Sequence, residues 1–140
     1  MIRLTRRYHF AASHRLHSAH FSEAENRDLY GKCNHPFGHG HDYVLEVGIV
    51  GRLDPVTGQV VNIGTLDQLV KDAVLKDLEH KNLNEDVPEF SKTVPTSENI
   101  VSVIRTRLER NWKAVFSGEW PRLEKIRLEE TKRNVIELGI

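Results

Sequence analysis

The stretch Ile2-Arg-Leu-Thr-Arg-Arg-Tyr-His-Phe-Ala-Ala-Ser-His14-Arg-Leu-His17 alternates with a period of two, the pattern of a half-buried strand. Even positions Ile2, Leu4, Tyr8, Phe10, Ala12 and Leu16 are apolar, with Arg6 and His14 as the exceptions, while the odd positions are mostly polar. Successive even side chains share one face, so His14 points with the apolar set. A second such run starts at His39, where His39, His41, Tyr43, Leu45, Val47 and Ile49 share a face. Asp54-Pro-Val-Thr-Gly58 reads as a turn that returns the chain through Gln59-Val-Val-Asn62 as a hairpin partner.

Helical signals lie between and beyond these strands. Ser22-Glu-Ala-Glu25 is a capping box before a short helix that Gly31 can end. Thr65 with Gln68 resembles a second box, ahead of the stripe Leu66, Leu69, Val70, Ala73, Val74 and Leu78. Another helix follows Pro95, with Ile100, Val103, Ile104 and Leu108 on one side. Leu123 to Thr131 and Asn134 to Leu138 read as a closing hairpin. The order ββααββ, with grouped helices, predicts an α+β fold on an antiparallel sheet.

Length predicts one domain spanning residues 1–140. Lys plus Arg equals Asp plus Glu at 20 each, so charge makes no case for nucleic acid or a membrane as partner. The basic run Arg105 to Arg110 is interrupted by Glu109 and reads as a solvated helix face. The N-terminus carries no apolar run of signal-peptide or membrane-span length. A single cysteine rules out an internal disulfide and fits a reducing, cytoplasmic setting.

His39 and His41, two apart on a strand, can share one ion, with Gly40 leaving room beside them. If the two strands pair, His14 brings a third imidazole. Three neutral imidazoles and an open position suit catalytic zinc, with iron or nickel as other takers. Taken singly, an inward His14 also fits a hydrogen-bonded core residue. Cys33 sits between Gly31 and Gly38 in a loop with Lys32, Asn34 and Pro36, poor core and a good active-site loop. A thiol near a dication is acidified and can serve as a base. Glu79-His80 closes the first long helix. Glu130 shares a face with Ile126 and Leu128, and a carboxylate there needs a partner.

These residues carry a resemblance. Ala12-Ser-His-Arg-Leu-His17, Gly31-Lys-Cys-Asn34, Gly38-His-Gly-His41, Leu53-Asp-Pro-Val-Thr-Gly58, His80-Lys-Asn-Leu83 and Thr96-Ser-Glu-Asn99 resemble the 6-pyruvoyltetrahydropterin synthase and 6-carboxytetrahydropterin synthase family, in order and over nearly the whole chain. The resemblance implies a T-fold: a four-stranded antiparallel sheet with two helices on one face, closing into oligomeric barrels. It implies a homohexamer, a dimer of trimers, with active sites at subunit boundaries. It places zinc on His14, His39 and His41, the catalytic cysteine on Cys33, and its paired histidine, from a neighbouring subunit, on His80. It places the pterin-gripping glutamate on Glu130 and ring contacts on Thr96 and Ser97. The family usually has Asp before the catalytic histidine; here Glu79 stands there, one methylene longer.

The implied reaction is a zinc-dependent lyase step of tetrahydrobiopterin biosynthesis, from 7,8-dihydroneopterin triphosphate to 6-pyruvoyl-tetrahydropterin with loss of triphosphate. Arg15 and Lys32 are the cations nearest the ligands in sequence. Two other readings stay open. One is 6-carboxytetrahydropterin synthase of the queuosine pathway, in which the cysteine typically lies closer to His-Gly-His than the five intervening residues found here. The other is a non-catalytic zinc- or pterin-binding module. Relatives serving folate synthesis carry glutamate in place of Cys33.

Overall fold

The computed structural model describes residues 1–140. Strand β1 (Ile2–His14) runs antiparallel to β2 (His39–Gly51) along its whole length, from Ile2 opposite Gly51 to His14 opposite His39. Strands β4 (Arg122–Thr131) and β5 (Asn134–Gly139) extend the sheet antiparallel, β4 against β2. The two-residue strand β3 (Lys81–Asn82) lies parallel to β1 on its other edge, giving the order β3-β1-β2-β4-β5. The expected four antiparallel strands are therefore joined by a parallel stub. It exists because the chain leaving the helical segment must pass beside Ala12 and Ser13. Two short helices, α1 (Glu23–Tyr30) and α4 (Leu83–Asp86), follow β1 and β3 in the chain.

One sheet face is the core. Tyr43, Leu45, Val47 and Ile49 of β2 and Ile126 and Leu128 of β4 are fully buried, packed with α2 (Ile63–Val70) and α5 (Ser97–Val115). Leu66, Leu69, Val70, Val74 and Leu78 face it from one helical segment, Ile100, Ile104, Leu108 and Trp112 from the other. Arg6, the charged exception in the β1 alternation, reaches Asp67 of α2 with two hydrogen bonds at 3.0 and 2.9 Å. Asp67 also accepts the Tyr8 hydroxyl at 2.8 Å. The opposite face is polar, with Arg7 and Arg127 both on Glu46.

Three local expectations are corrected. Gln59 to Asn62 forms no strand: β2 pairs with β4, and the turn only closes on itself through Gly58 N–H to Asp54 O and Asp54 N–H to Gln59 O. The helix after it starts earlier than the Thr65–Gln68 box implies. Asn62 is the cap, its side chain accepting Thr65 N–H at 3.0 Å, and Asn is as good a cap as Thr. That helix also does not run as α throughout: Lys71–Leu75 is a π-helical turn, followed by α3 (Lys76–Leu78). Arg107 donates to the Ala73 carbonyl inside the turn at 3.2 Å while clamped on Glu89 and Asp77. Periodicity cannot show a single inserted residue of this kind.

No helix is long and apolar enough to cross a membrane.

Candidate active site and metal centre

The site is built at the end of the β1–β2 pair. His14 and His39 are direct cross-strand partners, and His41 pairs with Ala12. The three imidazoles meet: ring centroids lie 5.0 Å apart for His14–His39 and His14–His41, and 4.5 Å for His39–His41. His14 is also hydrogen-bonded in the core, since its Nδ1 lies 2.8 Å from the Pro95 carbonyl. That bond makes Nδ1 the donor and leaves Nε2 as a lone pair. It is also the orientation a metal-binding imidazole needs from its surroundings.

Each ring leaves one nitrogen buried with no hydrogen-bond partner: His14 Nε2, His39 Nδ1 and His41 Nε2. Orphaned buried polar atoms are uncommon, and three in one cluster fit a cation-binding site. Ligand atoms of His14, Cys33, His39 and Glu130 all lie within 4.8 Å of one another, so nitrogen, sulfur and oxygen donors are all present. His41 falls outside that tight set, yet its Nε2 stands 2.9 Å from Glu130 Oε1. The ring is not aligned for a hydrogen bond there, so the contact leaves His41 free to serve an ion.

Cys33 is placed by a laced loop. After the Ser22 capping box opens α1, Gly31 takes φ 55° and a short 3-10 turn, Gly31–Asn34, carries the cysteine. Leu16 N–H donates to Cys33 O, and buried Asn34 donates to Leu16 O, both at 2.7 Å. Cys33 Sγ then lies 3.6 Å from His39 Nε2. The expected acidification of the thiol does not arise within the chain. Partial burial, and then the Glu130 charge, push it up; a bound dication would reverse that sign.

Glu130 has the partners its position demanded. Oε2 accepts Ser97 Oγ–H at 2.6 Å and Asn134 Nδ2–H at 3.0 Å, while Oε1 faces His41 and, at 3.6 Å, His14. Ser97 and Thr96 start α5, Thr96 being its cap by accepting Asn99 N–H. Asn134 is the residue sequence reasoning missed, although its place just past the β4–β5 turn, four residues after Glu130, was readable.

His80 is not brought into this cluster within the chain. It is exposed, at φ 59°, with its N–H donating to Ala11 O at 2.6 Å. A positive φ in a non-glycine residue is a held, strained conformation. Glu79 Oε1 stands 3.9 Å from His80 Nε2, too far for a hydrogen bond.

Gly38 closes the loop at φ 73°, where a Cβ would sit 2.7 Å from the His14 carbonyl oxygen. Gly38→Ala is therefore expected to lose about 1–3 kcal/mol of stability and to weaken metal retention. Denaturant unfolding and metal content check both.

Acid should loosen the metal-free protein. Burial pushes His14 and His39 below the ordinary imidazole value of 6.5. The unfolded chain then binds more protons than the folded one as pH falls below that value. Stability is complete above it and declines through the window down to the lowered folded values. Unfolding midpoints at about pH 7.5 and about pH 5.5 test this, the lower pH giving the lower midpoint.

A family model described as 6-pyruvoyl tetrahydropterin synthase matches residues 3–139. The chain is 41% identical over 133 residues to the 6-pyruvoyl tetrahydrobiopterin synthase of Poecilia reticulata, covering 95% of this chain and 86% of that one. The structure of Caenorhabditis elegans 6-pyruvoyl tetrahydropterin synthase superposes with a TM-score of 0.87 at 38% identity, over 99% of this chain and 94% of that one. Similarity to the 6-carboxy-5,6,7,8-tetrahydropterin synthase of Rickettsia conorii is weaker, 29% over 123 residues, 77% of this chain and 80% of that one.

Proposed function

Because the chain belongs to the 6-pyruvoyl tetrahydropterin synthase family, we propose that it is a zinc-dependent lyase of tetrahydrobiopterin synthesis. It converts 7,8-dihydroneopterin triphosphate to 6-pyruvoyl-tetrahydropterin with loss of triphosphate. The observation that carries this reading is the trio of buried, unpartnered imidazole nitrogens beside a thiol and a carboxylate. The 6-carboxy alternative has less support, given the weaker similarity to enzymes of that name.

His14, His39 and His41 would hold the zinc. When bound, it supplies Lewis acidity that lowers the pKa of the substrate's side-chain hydroxyls and adjacent C–H bonds. Cys33, as thiolate, takes a proton from side-chain carbon and returns one to the neighbouring carbon. The laced 3-10 turn holds its sulfur at the cluster. Such a positioned base contributes about 10²–10⁴ in rate. Glu130 binds the pterin's amino and ring N–H groups with charge-assisted hydrogen bonds. Its Oε2 already has two donors, so gripping both N–H groups requires Ser97 or Asn134 to yield one of them. Thr96 and Ser97 contact the ring at the start of α5.

His80 relays protons in a neighbouring subunit's site; Glu79, 3.9 Å from its Nε2, must close to hydrogen-bond distance to orient it. Its exposure and its absence from its own chain's cluster support that assignment. The open edges of β3 and β5 support assembly into barrels, as a hexamer of two trimers. The whole of residues 1–140 acts as one domain, in the cytoplasm.

Incubation of zinc-loaded protein with 7,8-dihydroneopterin triphosphate, followed by mass analysis, tests the reading. A product retaining the three-carbon diketo side chain is expected. A carboxylated product would transfer the chain to the queuosine-type reaction, and no turnover would leave the binding module.

A further inference from the structure

A cleft of about 700 Å³, within the usual range for small-molecule sites, runs behind the histidine cluster. Two of its walls touch the candidate centre directly. Gly38 packs on the His14 carbonyl, and Pro95 holds the His14 ring through its own carbonyl. Its charged lining is net cationic in a chain of zero net charge, Arg15 and Lys92 against one carboxylate, Glu85.

Arg15 is built into place. Asn84 of α4 clamps its backbone from both sides, accepting Arg15 N–H at 2.7 Å and donating to Arg15 O at 2.9 Å. Its Nε donates to Asn34 O at 3.1 Å, on the loop that carries Cys33. Both terminal amino groups are left without a protein partner, and no carboxylate pairs with them. A half-buried guanidinium held at one end with its fork free is a receptor for a planar or tetrahedral oxyanion.

We propose that this cleft, through Arg15 and Lys92, binds the triphosphate arm of the substrate. The inference rests on the reading above and deepens it. The triphosphate is attached to the same three-carbon side chain whose hydroxyls the histidine cluster addresses, so its charge must be met within a few bonds of that cluster. The only other cation singled out in sequence, Lys32, is exposed and does not line the cleft.

The test uses zinc-loaded protein and two oxidised pterins that differ only in the arm, neopterin and neopterin triphosphate, titrated by fluorescence. Their affinity ratio isolates the arm from pterin and metal contacts. The ratio is expected to fall by about tenfold in Arg15→Gln and again in Lys92→Gln, with bound zinc unchanged. Lys92 is exposed and makes no hydrogen bond, so its variant decides the matter even if Arg15→Gln folds poorly. An unchanged ratio in Lys92→Gln, or a wild-type ratio near one, overturns the subsite. If neither pterin binds and dihydroneopterin triphosphate is not turned over, inorganic triphosphate becomes the probe. Binding that weakens in Lys92→Gln then keeps the anion cleft while the pterin reading falls, and binding that does not weaken removes both.

Discussion

Cys33→Ala lowers turnover of dihydroneopterin triphosphate by about 10³-fold while bound zinc and pterin affinity stay near wild type. The sulfur lies 3.6 Å from His39 Nε2 and its removal takes away the one carbon-acid base the chain places at the cluster. Alanine keeps the 3-10 turn, because the loop is held by the backbone of Cys33 and by Asn34, not by the thiol. A loss confined to kcat is the signature of a group acting in the transition state. Full activity in this variant would remove the thiolate from the mechanism. A matching loss of zinc would make Cys33 a ligand.

His39→Ala abolishes stoichiometric zinc binding and, with it, activity. A site left with two imidazoles loses a third of its nitrogen donors, and catalytic zinc takes three protein ligands. His39 is the better probe than His14. His14 is 1% exposed, so its truncation leaves a cavity and an unpaired Pro95 carbonyl, and loss of fold would mimic loss of metal. His39 is only partly buried, and its variant should unfold cooperatively near the metal-free wild-type midpoint. Added zinc raises the unfolding temperature of wild type, since binding to the folded state alone stabilises it; the variant should show no such shift. A zinc-dependent shift that survives in His39→Ala would place the ion elsewhere.

Much of the fold and the site is legible in sequence because strand parity is a strong constraint. The alternation in β1 puts His14 inward, and the His39–Ile49 run puts His39 and His41 on the same side; the register then makes His14 and His39 partners. Glu130 is legible for the same reason, as a carboxylate on an apolar face. The parts that are not legible depend on contacts between distant segments. Gln59 to Asn62 follows a good turn, but β2 already has β1 on one edge and β4 on the other, so no edge remains for a hairpin. Buried Asn34 and Asn26 look like ordinary loop residues in sequence. Asn26 nonetheless binds the Ser18, Phe21 and Ser22 carbonyls and accepts Ser18 N–H, tying α1 to the segment that leads into it. Nothing local announces such roles. The thiol shifts against expectation because the ion that would acidify it is not part of the chain.

Diffraction from crystals of the zinc-loaded protein, measured at the zinc absorption edge, would locate the ion itself. One anomalous peak per chain, about 2.1 Å from a ring nitrogen of each of His14, His39 and His41, is the predicted result. A peak bonded to other side chains, or none at all in active protein, would contradict a centre assembled by these two strands.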